Sequence, residues 1–295
     1  MSKLDGNKIA EAYRDELKGE ISDLKEDGVT PTIAPILVGD DPGAKVYYRT
    51  KKKLAEELGI NYDGVKLDAD ISKSELLDRI DHLNNDSSVH GLFVELPLPE
   101  GLDIGELRAE INPKKDIDCI NPVNSGKLIS GGAFRASYED LKEDPEVLLP
   151  ATPYAVMEIL SYSGIDLKGK EFLVVGAGAV GLPLSMLALR QGYSTVTLCE
   201  YQSENLPEKT RRADILCSSV GKKDFITEDM VSEGTVVVDV GINATDSGIT
   251  GDVDYEAVKG KAARITPVPG GVGPMTTTLI MSNTVKAAKL LEDRS

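Results

Sequence analysis

Apolar residues recur at helical spacing near the start of the chain, at Ile9, Tyr13, Leu17, Ile21 and Leu24, which predicts a helix over residues 4–27. Pro31 interrupts it, and the apolar run Thr32 to Val38 reads as a buried strand. Gly39-Asp40-Asp41-Pro42-Gly43 is a turn, and residues 44–58 form a helix that Gly59 closes. A strand from Asn61 to Leu67, a helix from Ser72 to Asn84 and a strand from Gly91 to Leu96 follow. Strands alternating with helices argue for a parallel sheet with flanking helices. Leu128 to Leu149 is polar and glycine-rich and reads as a linker or arm. A new helix begins at Thr152, and the alternation resumes. Its strands are Phe172 to Val175, Ser194 to Cys199, Ile215 to Ser218 and Thr235 to Val240, with a helix-like run from Leu182 to Leu189. A Pro- and Gly-rich loop, Thr266 to Pro274, precedes a last helix, Met275 to Leu291. The pattern predicts two α/β domains and shows no internal repeat.

One junction carries chemistry. The strand ending at Val175 runs straight into Gly176-Ala177-Gly178-Ala179-Val180-Gly181, a Gly-x-Gly-x-x-Gly run followed by a helical pattern. That is the strand–turn–helix context of a dinucleotide site, so the second domain reads as a Rossmann-type, doubly wound parallel sheet. Gly176 allows the tight turn, Gly178 lets backbone approach a pyrophosphate, and Gly181 lets the helix sit against the strand. The helix N-terminus offers unpaired N–H groups and the positive end of its dipole to the phosphates. Glu200 ends the next strand, nineteen residues after Gly181. A carboxylate there can accept hydrogen bonds from the adenine ribose and repels a 2′-phosphate.

Composition narrows the class. The chain has 295 residues and a net charge of −16, so it lacks the basic face that nucleic acid or an anionic membrane needs. Lys51-Lys52-Lys53 is the only dense basic run. No stretch approaches eighteen consecutive apolar residues, and residues 1–10 lack a signal-peptide core. Cys119, Cys199 and Cys217 are odd in number and widely spaced, which points to reduced thiols and a cytoplasmic protein. The histidines, His82 and His90, show no metal-ligand spacing and read as structural. Asp252 and Asp254 read as a turn or as hydrogen-bond acceptors, since Gly-Asp-Val-Asp lacks the ligand density of a calcium loop. No metal is expected.

Tyr47 and Lys51 lie four apart on a predicted helix and share a face. A phenol beside an ammonium is a workable proton-handling pair, because the cation lowers the phenol pKa. Spacing alone equally fits an amphipathic helix with a core tyrosine and a solvated lysine. The same Tyr-x-x-x-Lys occurs in short-chain dehydrogenases, but there it follows the nucleotide motif, and here it precedes it.

In its ordered blocks the chain resembles the bifunctional methylenetetrahydrofolate dehydrogenase/methenyltetrahydrofolate cyclohydrolase family. The blocks are Lys45 to Lys53, Glu95-Leu96-Pro97-Leu98-Pro99, Lys115-Asp116-Ile117-Asp118, Thr152-Pro153, Asp239 to Asn243, Gly251 to Asp254 and Thr266 to Thr276. The resemblance implies a folate-binding catalytic domain over 1–148 plus 275–295, a Rossmann domain over 149–274, and a cleft between them. It implies homodimers through the Rossmann domain. Lys51, Tyr47, Glu95 and Asp118 take the catalytic positions, with Lys51 tied to the cyclohydrolase step and Asp118 to the pterin ring. Leu96, Pro97, Pro269, Gly270, Gly271, Gly273 and Pro274 join Tyr47, Lys51 and Asp118 around the folate. Thr152, Gly176, Ala177, Gly178, Val180, Gly181, Glu200, Val220, Gly221, Gly241 and Ile242 take the dinucleotide positions. The implied reaction is hydride transfer from 5,10-methylenetetrahydrofolate to NAD(P), then hydrolysis of the methenyl product to 10-formyltetrahydrofolate.

Two departures from the family carry information. Most members read Gly-Arg-Ser in the phosphate turn, where this chain has Gly176-Ala177-Gly178. A His-Ser-Lys-like stretch is replaced by Glu200-Tyr201-Gln202-Ser203. Losing the cations and gaining a carboxylate points to NAD over NADP. Glu95 stands where the family has a glutamine expected to hydrogen-bond the lysine. A carboxylate there favours the ammonium form of its partner, making it a poorer base and weakening hydrolysis or altering its pH dependence. Alternatively, Glu95 accepts protons itself. A dehydrogenase with weak or lost cyclohydrolase and a non-catalytic dinucleotide-binding protein are the competing readings.

Overall fold

The computed structural model describes residues 2–130, 136–191, 195–245 and 248–292. The chain forms two compact units. One comprises Ala12–Lys127, Lys142–Ala151 and Thr277–Ser295, the other Met1–Glu11, Leu128–Leu141 and Thr152–Thr276.

The first unit is built on the strand Thr32–Val38, every residue of which is buried. It pairs in parallel with Gly91–Val94 on one side, and with Asn61–Tyr62 and then Val65–Leu67 on the other. A strand enclosed on both faces needs no alternation, and hence the continuous apolar run. Pro35 sits in the middle of this strand, where a missing N–H would normally break a ladder. Ile33 O accepts from Asp63 N on the outer side, and pairing there resumes only at Ile36. Odd-numbered residues of the strand face that side, so Pro35 lies opposite the gap. The predicted single strand Asn61 to Leu67 is therefore two short ones. The final helix, Val272–Glu292, supplies Ile280, Met281, Val285, Ala287 and Ala288 to the core around Ile33, Phe93 and Ile117. Asn283, 2% exposed, ties that helix to two buried carbonyls, Ile117 O at 2.7 Å and Leu149 O at 2.9 Å.

The second unit holds a six-stranded parallel sheet. Its spatial order is Ser2–Lys3, Arg264–Ile265, Val236–Asp239, Ile215–Ser218, Glu171–Val175, Thr195–Cys199. From Glu171–Val175 the chain moves outward to Thr195–Cys199, then returns to the other side at Ile215–Ser218. The topological switch point lies there, beyond the carboxyl ends of Glu171–Val175 and Ile215–Ser218, where such sheets bind ligands.

Residues 128–149 differ from the predicted linker. The helices Pro122–Ser130 and Tyr138–Glu143 cover part of the segment, and residues 131–135 lie outside the described residues. Tyr138 is fully buried and donates its hydroxyl to Glu158 Oε1 at 2.5 Å, an anchor that hydrophobic periodicity does not reveal. Ser194, placed at the start of a strand, also lies outside the described residues. Among the described residues no helix is long and apolar enough to cross a membrane.

Candidate active site

The helix Pro42–Leu58 starts where Asp41 accepts from Ala44 N at 2.8 Å and Pro42 supplies a pre-set φ. It ends at Gly59, whose φ of 80° is the left-handed cap. Its buried face reads Ala44, Tyr48, Lys51, Leu54, Ala55 and Leu58. Lys51 thus points inward among apolar neighbours. Its ammonium meets two groups from one strand: Glu95 Oε2 at 2.7 Å and the face of the Phe93 ring, 4.4 Å from its centroid. Residues two apart on a strand share a face, so Gly91–Val94, extended by the Glu95 N to Ile36 O hydrogen bond, presents both together. Phe93 is a site residue that sequence reasoning missed, although the period of two carries the signal.

Glu95 is 4% exposed, and its second oxygen, Oε1, has no hydrogen-bond partner among the described residues. Burial raises its pKa, Lys51 pulls it back by charge and hydrogen bond, and Asp118 raises it further. Asp118 is partly buried, and burial raises its pKa against the opposing pull of Lys51. The turn presenting Asp118 is built by its neighbour. Fully buried Asp116 accepts from Ile120 N, Asn121 N and Asn124 Nδ2 at 2.8–3.1 Å, and burial lifts its carboxyl to about 6. Leu96 and Pro97 are exposed beyond Glu95.

Tyr47 departs from expectation. Burial, and then the charge of Glu95, raise its phenol pKa rather than lower it. The ammonium of Lys51 is engaged by Glu95 and Phe93, so the phenol gains no acidity from it. Tyr47 therefore keeps its hydroxyl proton near neutral pH. The Lys51-Lys52-Lys53 run dissolves likewise: Lys52 and Lys53 turn outward and pair one helical turn on with Glu56 and Glu57. His90 is buried and its Nδ1 accepts from Thr32 N at 3.1 Å, a structural task.

In the second unit Gly176 follows Glu171–Val175 with φ +102°, and a Cβ there would press on Ser219 O. A Cβ on Gly181 would overlap the carbonyl oxygen of Gly176. These two glycines are required by the protein's own packing. Gly178 is not: it is exposed, and a Cβ would meet no atom within 4 Å. Its glycine suits a ligand that comes close from outside. The helix Gly181–Arg190 begins at Val180 without a side-chain cap; Leu182 N already donates to Gly178 O at 3.2 Å and Pro183 has no N–H, so Gly181 N is the first-turn donor left for an anion. Ala177 and Val180 are partly buried beside this turn. Glu200 is exposed, and its carboxylate has no protein partner among the described residues. The donor set and the open turn therefore fit a dinucleotide.

Across the switch point, Asp252 holds the facing loop. It is fully buried, and Oδ2 accepts from Val220 N at 2.6 Å, Gly221 N at 3.2 Å and Ser218 Oγ at 3.1 Å. Oδ1 accepts from Lys222 N and Asn243 Nδ2, each at 3.0 Å. Asp239 in turn accepts from Gly241, Asp252 and Val253 N–H groups at 2.9–3.0 Å. Asp254 caps the short helix Tyr255–Val258. Ser219 and Asp239 shape this site and were absent from the sequence-based set, whereas Asp252 is a hydrogen-bond acceptor, one of the two readings the sequence offered for it. Gly241 is buried and Ile242 exposed. The Pro-Gly loop is held by Thr266, whose Oγ1 accepts from Asp239 N at 2.7 Å, and by Gly6 N donating to Gly270 O at 3.0 Å. A Cβ on Gly6 would overlap Gly271 O, so the N-terminal segment lies directly against the loop. Pro269 is exposed, Gly270 is the partly open tip of the turn, and Gly273 and Pro274 are partly buried behind it. Thr152 Oγ1 lies 3.5 Å from Thr276 Oγ1.

A Rossmann unit with an open phosphate turn, carried on the same chain as an α/β unit with a buried lysine–carboxylate pair, defines a dinucleotide-dependent enzyme. Residues 4–118 match the catalytic domain of tetrahydrofolate dehydrogenase/cyclohydrolase, and residues 150–292 match its NAD(P)-binding domain. The chain is 43% identical over 288 residues to the bifunctional protein FolD of Bacillus subtilis, covering 97% of each chain. It superposes on the bifunctional FolD methylenetetrahydrofolate dehydrogenase/cyclohydrolase of Campylobacter jejuni with a TM-score of 0.90 at 40% identity, covering 98% and 99% of the two chains. On the Trypanosoma brucei enzyme complexed with NADP and an inhibitor the TM-score is 0.89 at 31% identity, covering 100% and 99%. The chain belongs to the tetrahydrofolate dehydrogenase/cyclohydrolase family.

Proposed function

We propose that this protein is an NAD-linked member of its family whose Lys51–Glu95 pair handles the protons of the second reaction. The enzyme oxidises 5,10-methylenetetrahydrofolate to the methenyl compound and hydrolyses that to 10-formyltetrahydrofolate. A bound nicotinamide dinucleotide supplies the hydride acceptor. The chain's part in that step is positioning, because no proton moves. The glycine turn and helix N-terminus orient the pyrophosphate, and Glu200 accepts from the ribose hydroxyls. On the folate side Asp118 holds the pterin and Tyr47 packs against the substrate; in the Rossmann unit the glycines of Gly270 to Gly273 leave their loop free of side chains.

Hydrolysis does need proton traffic. Water adds to the methenyl carbon and sheds a proton; the resulting hydroxyl loses its second proton as it becomes the formyl carbonyl, while N5 takes one up as its bond to that carbon breaks, so one proton is released overall. Lys51, held 2.7 Å from Glu95, is the group in place to pass such a proton.

The observation carrying the NAD reading is the exposed, unpartnered Glu200 beyond the second strand, together with Ala177 in the turn. Initial rates with 5,10-methylenetetrahydrofolate test it: kcat/KM with NAD should exceed that with NADP at least about tenfold. A higher value with NADP would remove the argument from Glu200.

We further propose a homodimer through the Rossmann unit. Thr195–Cys199 is a sheet edge, and edges are rarely left uncovered. Leu182 and Leu189, two turns apart on one helix face, are 50% and 49% exposed. A monomeric mass in solution scattering would exclude this.

A further inference from the structure

The loss of cations from the phosphate turn leaves the adenosine end with Glu200, but a second charge has come there from the opposite loop. Tyr201 directly follows Glu200, and its ring is braced edge-on by Phe225, with centroids 6.4 Å apart at 89°. Its hydroxyl accepts from Gln202 Nε2 at 2.9 Å. On the face of this ring sits the ammonium of Lys222, 3.5 Å from the centroid. Lys222 comes from the loop after Ile215–Ser218, on the far side of the switch point, and its backbone N–H is fixed by Asp252 Oδ1. Both ends of the lysine are therefore held. The neighbouring Lys223 is paired with Asp224, whereas Lys222 has no carboxylate partner among the described residues.

We propose that Lys222 is a specificity-determining residue, the cation that sets how strongly this site rejects a 2′-phosphate. The inference rests on the NAD reading above and refines it. Glu200 repels the phosphate, while Lys222, steadied by the Tyr201 ring, offsets part of that repulsion from the opposite loop. A cation held on an aromatic face keeps its charge and its position, so it can act on a dianionic group without a salt-bridge partner of its own. The hydroxyl of an NAD ribose carries no charge and gains far less from it. The family's cationic function has thus moved from the turn at Ala177 to the facing loop, at reduced strength.

Equilibrium calorimetry with NAD, NADP, 5′-ADP and 2′,5′-ADP tests this without turnover. In Lys222→Ala the ratio of Kd for NADP to Kd for NAD should rise at least about fivefold, with 2′,5′-ADP weakened relative to 5′-ADP by a similar factor. Lys222→Arg should restore most of the ratio. Raising salt should shrink the difference between parent and alanine variant. Equal weakening of all four ligands would make Lys222 a structural residue and overturn the proposal, as would an unchanged ratio. Tighter binding of NADP than NAD by the parent protein would instead defeat the NAD reading itself.

Discussion

Replacing Glu95 by glutamine isolates the electrostatic consequence of the one buried carboxylate at the lysine. The two side chains have the same shape, and the amide oxygen of a glutamine could still accept from Lys51 across the 2.7 Å now bridged by Oε2. Only the negative charge disappears. The bond from the ammonium to a neutral amide oxygen is still a charged-group bond, so what is lost is the attraction between two full charges, on the order of 1–4 kcal/mol at 4 Å for effective dielectrics between about 80 and 20. Removing one charge therefore weakens the hold on the ammonium form by at least about 1 kcal/mol, a factor of about 5 or more in equilibrium. Methenyl hydrolysis near neutral pH should accelerate by a similar factor, since Lys51 becomes freer to take up a proton. The pH profile should change too. Burial raises the pKa of Glu95, so the parent carries a limb where that carboxyl titrates, and the variant lacks it. The assay is the decay of methenyltetrahydrofolate absorbance in weakly basic buffers, with the uncatalysed rate subtracted at each pH. A variant that hydrolyses the compound no faster than the parent, with an unchanged profile, would refute the reasoning. A marked slowing would instead assign the base role to Glu95.

Further outcomes follow from the same geometry. Gly181→Ala forces a methyl onto the Gly176 carbonyl oxygen and should weaken NAD binding at least about tenfold, measured by calorimetry. Glu200→Gln removes the charge facing a 2′-phosphate and should lower Kd for NADP several-fold while leaving the unfolding midpoint in urea within experimental error. Asn283→Ala strands the buried carbonyls of Ile117 and Leu149 and should cost about 2–4 kcal/mol in urea unfolding. Burial lifts Asp239 from 3.8 to about 7, against the pull of its backbone N–H donors. With the folded pKa raised, its contribution to stability is full below about pH 3.8, declines as pH rises, and is lost above about 7. Asp239→Asn should flatten that decline in thermal unfolding followed from about pH 4 to 8.

Much of the fold is legible because local and tertiary signals agree. Gly59 closes its helix as capping chemistry demands, although the helix starts at Pro42, inside the predicted turn, and the all-apolar Thr32–Val38 announces a strand buried on both faces. The phosphate turn is legible because two of its glycines are dictated by packing, and such requirements survive in sequence as fixed spacings. What stayed hidden depends on partners far along the chain. Ser2–Lys3 is a strand only because Arg264–Ile265 offers an edge. Tyr138 organises its helix through Glu158, twenty residues away. Val65–Leu67 is separated from Asn61–Tyr62 because Pro35, on another strand, faces the gap. The Tyr47 phenol shows the same limit in electrostatics: helical spacing placed it beside Lys51, but the ammonium is engaged by Glu95 and Phe93. The predicted acidification does not occur.

The most direct test of the whole account is one progress curve, run with purified protein and 5,10-methylenetetrahydrofolate, started with NAD and repeated with NADP. With NAD, reduced cofactor should form promptly, and the methenyl compound should rise and then decay to 10-formyltetrahydrofolate faster than in buffer alone. The NADP curve should follow the same course at least about tenfold more slowly. Methenyl product that accumulates and decays only at the buffer rate, or a faster curve with NADP, would contradict an NAD-linked enzyme that performs both steps.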